Sequence, residues 1–254
     1  MTTEPSARAF GWRLYGLGVM TLGALCLIFG NFDPGQPVPK DFPVRSLLAY
    51  ASGAFMFVAG AAVEWRRTAA RGAGALAVYY TLVVVLLMNG RVALAHSAEF
   101  GTYSGAAAQV AIGAGGLIVY AANAGIEARL AARLTRVAQL AFGICAVLFG
   151  GAHFFYMNLT APLVPSWLPF GQAFWGYATG VAHIAAGLAI LTGIQARLAA
   201  ILLTFMYASF TPLVHIPTLL AEPSNHWYWS ENAANIALTG VAWVVADSLA
   251  RSKR

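Results

Sequence analysis

The stretch GGAHFFYMNLTAPLVPSWLP, residues 150–169, decides the fold. It closes an apolar run that holds one ionisable side chain, His153, and then breaks into prolines and aromatics. An apolar run of this kind is either the core of a large soluble protein or a membrane-crossing helix, and composition separates the two. Of 254 residues, 59% are hydrophobic and 9% charged, against about 25% charged in ordinary soluble domains. So few polar side chains cannot cover a globule.

Eight windows are free of Asp, Glu, Lys and Arg: 14–32, 46–63, 72–90, 100–126, 137–156, 170–196, 198–221 and 232–246. Crossing a hydrocarbon core takes about 20 helical residues, and a backbone in lipid has to satisfy its own hydrogen bonds. The windows lack the alternation of barrel strands. The reading is an all-α polytopic membrane protein of eight helices. The last window is short, so its helix is expected to start near residues 226–229, with Glu231 in its first turn.

The net charge of +6 does not read as a nucleic-acid surface. With alternating helices, twelve of the fifteen basic residues fall on one side: Arg8, Arg13, Arg66, Arg67, Arg71, Arg129, Arg133, Arg136, Arg197, Arg251, Lys253 and Arg254. Lys40, Arg45 and Arg91 fall on the other. Positive charge marks the cytoplasmic side. The expectation is a multi-pass protein of the inner (plasma) membrane, with the bilayer as its solvent and both termini cytoplasmic. Cys26 and Cys145 lie in apolar windows with no metal or redox spacing, and read as small buried hydrophobes.

The halves resemble each other. Phe29-Gly30 matches Phe149-Gly150, Tyr50 to Gly53 with Gly60 matches Tyr177 to Gly180 with Gly187, and Arg71 matches Arg197. Tyr103-Ser104 with Gln109 matches Trp229-Ser230 with Asn235. Four helices per unit give both units the same orientation, a parallel repeat: residues 1–126 as a scaffold-like unit and 137–254 as the unit with a site. The glycines read as helix contacts. Prolines cluster in the first outer loop of each unit, where the first loop reads as an ordinary interfacial turn.

The motifs GGAHF, LVPSWLP, TGVAHIAAGLAILTGIQARLAAILL and HIP resemble the DoxX-like family of small membrane proteins, over about residues 139–248. The resemblance implies a four-helix unit and redox-associated roles: one branch is a subunit of a thiosulfate:quinone oxidoreductase, and others accompany membrane oxidoreductase complexes. It implies no catalytic residues that carry over.

In this alignment His153 pairs with Asp33, His183 with Met56, His215 with Asn89, His226 with Phe100 and Glu231 with Gly105. Four of the five histidines lie in the second unit, so insertion alone does not require them. A charge within a span costs on the order of 3 kcal/mol. Topology sets His153, His215, His226 and Glu231 near the outer surface and His183 deeper. The expected site has His153 and Glu231 exchanging protons or hydrogen-bonding a ligand, and His183 as an inner relay. His215, Trp167, Tyr156, Trp229 and Asn232 would complete its walls. A quinone needs such hydrogen-bond partners in an aromatic slot; haem or a metal would use the imidazoles as ligands. Each residue also has a plain structural reading, as a cap or an interhelical hydrogen bond. The functions left open are a redox-associated protein with a quinone or other lipophilic ligand, a non-enzymatic small-molecule transporter, and a scaffold for an oxidoreductase partner. No nucleotide-binding glycine loop is present, so electrons would come from a bound cofactor, a partner or the substrate.

Overall fold

Glycines set the helix spacing, and the helix spacing sets the site. In this computed structural model, residues 10–251 are described; the charges of Arg8, Lys253 and Arg254 and the side chain of Arg251 lie outside them. Helix makes up 82% of the protein, with no strand among the described residues. Eight helices are long and apolar enough to cross a membrane. They are α1 (Phe10–Phe29), α2 (Arg45–Val63), α3 (Ala69–Ala95), α4 (Phe100–Asn123), α5 (Ala128–Phe155), α6 (Gln172–Thr192), α7 (Ala196–Ala221) and α8 (His226–Arg251). Starts and stops follow local chemistry. Gly30 after α1 and Gly193 after α6 take positive φ, +61° and +81°, the left-handed turn that ends a helix most readily at glycine. Because α8 begins at His226, Glu231 sits in its second turn rather than its first, beyond the four free amides of the helix end.

Each helix packs on the next, and α8 returns to α1, so the eight form a ring. A further contact between α4 and α8 divides the ring into two chambers. The α1–α2 contact has two crossing points. A Cβ on Gly23 would lie 2.6 Å from the Gly53 carbonyl oxygen, and one on Gly60 2.9 Å from that of Gly16. The α5–α6 contact repeats the pattern: 2.6 Å from Gly150 to the Gly180 oxygen and 2.6 Å from Gly187 to the Gly143 oxygen. Backbones this close require the missing side chains. These crossings set Gly150 against Gly23, not Gly30. The counterpart of His153 is therefore Cys26, not Asp33, and that of His183 is Met56. The sequence alignment slipped by one seven-residue step because both sites read Phe-Gly.

The first proline loop also departs from expectation. It is no simple interfacial turn: Phe32, Asp33 and Gln36 are all buried. Gln36 enters the α1–α4 chamber, where its Nε2 donates to Met56 Sδ at 3.3 Å and its Oε1 accepts from Ser52 Oγ at 3.1 Å. Tyr80 adds its hydroxyl to the same sulfur at 3.3 Å. The second proline loop keeps its large aromatics outside, with Trp167 72% and Phe170 78% exposed. Both third helices widen into π-helix near the loop end, α3 over Tyr79–Asn89 and α7 over Thr211–His215. Such widening gathers at functional sites.

Candidate functional site: a histidine-lined cavity

The Gly150–Gly180 crossing carries the site, because one turn further along each helix stands a histidine. His153 and His183 face each other with ring centres 5.0 Å apart. Each ring bonds to its own helix. His153 Nδ1 lies 2.8 Å from the Phe149 carbonyl and His183 Nδ1 2.8 Å from the Thr179 carbonyl. A carbonyl oxygen only accepts, so both Nδ1 atoms carry the proton. The neutral rings are left with Nε2 as an acceptor. His183 is 2% exposed and packs against Phe149, Tyr207 and Phe210.

The pair opens on a cavity of about 950 Å³ at the proline-loop end, bordered by α3 to α8 and by parts of both loops. Its walls include His215 and Glu231 as well as both histidines, together with Phe149, Phe210, Leu213, Trp175 and Trp227. Among the described residues, no Lys or Arg lines it. Glu231 is exposed and lines the cavity.

Four expected wall residues lie elsewhere. Along α8 the cavity side is Trp227, Ser230, Glu231, Ala234, Asn235 and Leu238, one helical face. Trp229 and Asn232 fall off that stripe. Trp229 instead donates through Nε1 to the Pro223 carbonyl at 2.8 Å. Tyr156 has the right spacing from Phe149 and His153, but α5 ends at Phe155. The turn there swings its ring towards Phe100 and Gly101. Trp167 stands on the exposed loop. His226 stacks on Phe29 at 4.3 Å and does not line the cavity. His183 is no separate inner relay but the immediate neighbour of His153.

The sequence reading also missed two wall residues. Gln109 of α4 is 4% exposed, with its Oε1 unpartnered. Asp33, 6% exposed, accepts from the Gly35 amide at 2.9 Å. Burial pushes its carboxyl up to about 6, against the pull of that amide and of the Ser230 hydroxyl. One signal was available for Asp33: it is the sole acid between Glu4 and Asp41.

Chemically, two imidazole acceptors above an apolar slot recognise a hydroxyl or other proton donor and can take its proton. They do not hold haem between them. Two axial imidazoles on one iron, with bonds near 2 Å, would need ring centres roughly 6 Å apart on opposite sides. Among the described residues, no three His, Cys, Asp or Glu side chains gather to hold a metal ion. Cys26 and Cys145 are free and buried.

A family described as a domain of unknown function (DUF8561) matches residues 142–246. That segment takes in His153, His183, His215 and Glu231 but covers less than half of the chain. No curated protein and no solved structure matches the chain.

Proposed function

We propose that the chain is a redox-associated protein of the inner membrane that binds a quinol or quinone, resembling the DoxX-like proteins in its second unit. In this reading the eight helices cross the bilayer as two like-oriented four-helix units, 1–126 and 137–254. Two features support the duplication: the paired glycine crossings, and a ring in which α1 meets α8 as α5 meets α4. The basic residues between helices collect at the end away from the proline loops, which makes that end cytoplasmic and the cavity an outer-leaflet site.

The observation that carries the proposal is the histidine pair at the wall of the apolar cavity. A quinol ring fills an aromatic slot, and its hydroxyl donates to His153 or His183 Nε2. The carbonyl form would bind when an imidazole is protonated. Glu231 across the cavity accepts or returns a proton. Electrons leave to a partner, which makes the chain one subunit of a larger reaction. The π-helical interruptions of α3 and α7 at the cavity favour a second reading, carriage of a lipophilic molecule across the membrane.

The test is a titration of purified protein with a short-tailed quinol and the matching quinone, read by tryptophan quenching, beside mass analysis of co-purified lipids. His153→Ala and His183→Ala are expected to weaken quinol binding at least tenfold. Unchanged binding in both variants would remove the site. Flux into vesicles with no redox change would favour carriage.

A further inference from the structure

The end of the helices away from the proline loops holds a second cavity, of about 810 Å³, which shares no wall residue with the first. Three arginines line it: Arg66 from the turn after α2, Arg136 from α5 and Arg197 from the start of α7. Asp247 is the one acid among its described wall residues. Membrane insertion accounts for arginines at this end but not for their convergence on one cavity. Arg67, Arg71, Arg129 and Arg133 sit at the same end and do not line it. Side chains tie part of the wall together. Arg136 Nη2 donates to the Leu191 carbonyl of α6 at 3.1 Å, and its Nη1 to Gln139 Oε1 at 3.5 Å. Gln139 Nε2 in turn donates to Ser248 Oγ of α8 at 3.0 Å. Gln139 is 4% and Ser248 7% exposed.

The charged groups of this wall are mostly donors. A guanidinium carries five N–H groups and accepts none. Arg66 and Arg197 make no hydrogen bond or ion pair with another described residue, so their forks are free for a ligand. Trp12 of α1 lines the same cavity, and its indole N–H, which can only donate, is buried there without an acceptor. A single arginine can saturate a planar carboxylate. Three of them, on three separate elements, suit a phosphate, whose oxygens accept in several directions. Ile118, Val119, Val244 and Leu249 make other parts of the wall apolar, so the phosphate can carry an apolar attachment. Basic pockets between helices on the cytoplasmic side are sites of this kind. We infer that Arg66, Arg136 and Arg197 form a binding site for a phosphate-bearing anion, carried by an anionic lipid headgroup or by a soluble organic molecule. It does not rest on the histidine cavity, from which it is separate.

The experiment uses the full chain, delipidated in a neutral detergent. It is titrated at matched ionic strength with inorganic phosphate, a short-chain phosphatidylglycerol or a short-chain phosphatidylcholine. Thermal midpoint and calorimetric binding are read in parallel. Phosphate or phosphatidylglycerol is expected to raise the midpoint saturably and to bind at about one site per chain, while phosphatidylcholine does neither. Phosphatidylglycerol binding at least tenfold tighter than phosphate assigns a lipid headgroup; comparable binding of the two assigns a soluble phosphate. Arg66→Gln and Arg197→Gln should each weaken the binding at least fivefold. Arg67→Gln and Arg133→Gln remove the same charge away from the cavity and should weaken it less than twofold. Arg136→Gln is the third wall variant, but it also loses the bond to α6, so the other two decide. No saturable binding of either anion, equal binding of phosphatidylcholine, or equal losses in wall and off-wall variants would overturn the site. His153→Ala should leave anion binding intact, which separates this inference from the proposed function.

Discussion

The two chambers of the ring start from the same backbone crossings and end with opposite interiors. One turn beyond the crossing, the first chamber places Cys26 and Met56, both 0% exposed, where the second places His153 and His183. Into the first comes Gln36 from the loop, bonded to Met56 and Ser52, with Tyr79 and Tyr80 closing round it. The second receives no plug, and about 950 Å³ stays open. The difference is one of packing and of polar groups. A filled chamber gives stability through packing density. An open one forgoes that contribution and exposes two imidazole acceptors. The loops agree: Phe32 of the first is 5% exposed, and Trp167 of the second 72%.

The largest expected effect breaks what the chambers share. Gly150→Leu would drive a side chain into the Gly180 carbonyl and Ile184 Cγ1, 2.6 and 2.5 Å from the first added carbon. Gly23→Leu would do the same to Gly53 and Phe57. Both should abolish monodisperse protein on size exclusion, because rigid backbone cannot yield there. If only one does, the crossings are not equivalent.

Next come changes that sharpen the contrast in stability. Met56→Ala empties a filled site and is expected to cost about 2–5 kcal/mol in reversible unfolding. His183→Met, which writes the first chamber's residue into the second, should leave the thermal midpoint unchanged or higher. It should nonetheless weaken quinol binding at least tenfold. A drop in midpoint as large as that of Met56→Ala would mean the histidine is packing, not function.

Asp33 makes a prediction in pH. Its carboxyl is raised from 3.8 to about 6 by burial. A raised acid leaves the folded state fully stabilised below the unfolded value and weakens it as pH rises through the folded value. Stability should therefore fall between about pH 4 and 6, by on the order of 3 kcal/mol for such a shift. Asp33→Asn should flatten the fall. A fall of equal depth in the variant would assign it to another group.

Helix content and number were legible in the sequence because freedom from charge over about 20 residues is a local property. The gathering of His153, His215 and Glu231 was legible too, since each lies towards one end of its helix; His183, midway along α6, was set apart from them, and His226 was wrongly included. What failed was rotation and register. Trp229 and Asn232 are close to Glu231 in sequence but point off its face, and Tyr156 lies one residue past the end of α5. The Phe-Gly pairs misled the alignment because two residues in an apolar helix carry little information. The glycine crossings could correct it, since each is a contact between distant segments. Asp33 was missed because its burial depends on a loop folding back into the ring, which no helical period encodes.

The smallest effect tests whether the open chamber stays open. Trp167 of the second loop is 72% exposed and is not itself a wall residue of the cavity. Trp167→Ala should change quinol affinity less than twofold, since an exposed ring at the headgroup level contributes to anchoring more than to binding. Its neighbours Leu168 and Pro165 do line the cavity, so the loop already has one side on the site. A loss of tenfold or more in Trp167→Ala would mean that the ring turns inward over a bound ligand. The second loop would then plug its chamber only when occupied, as Gln36 plugs the first at all times.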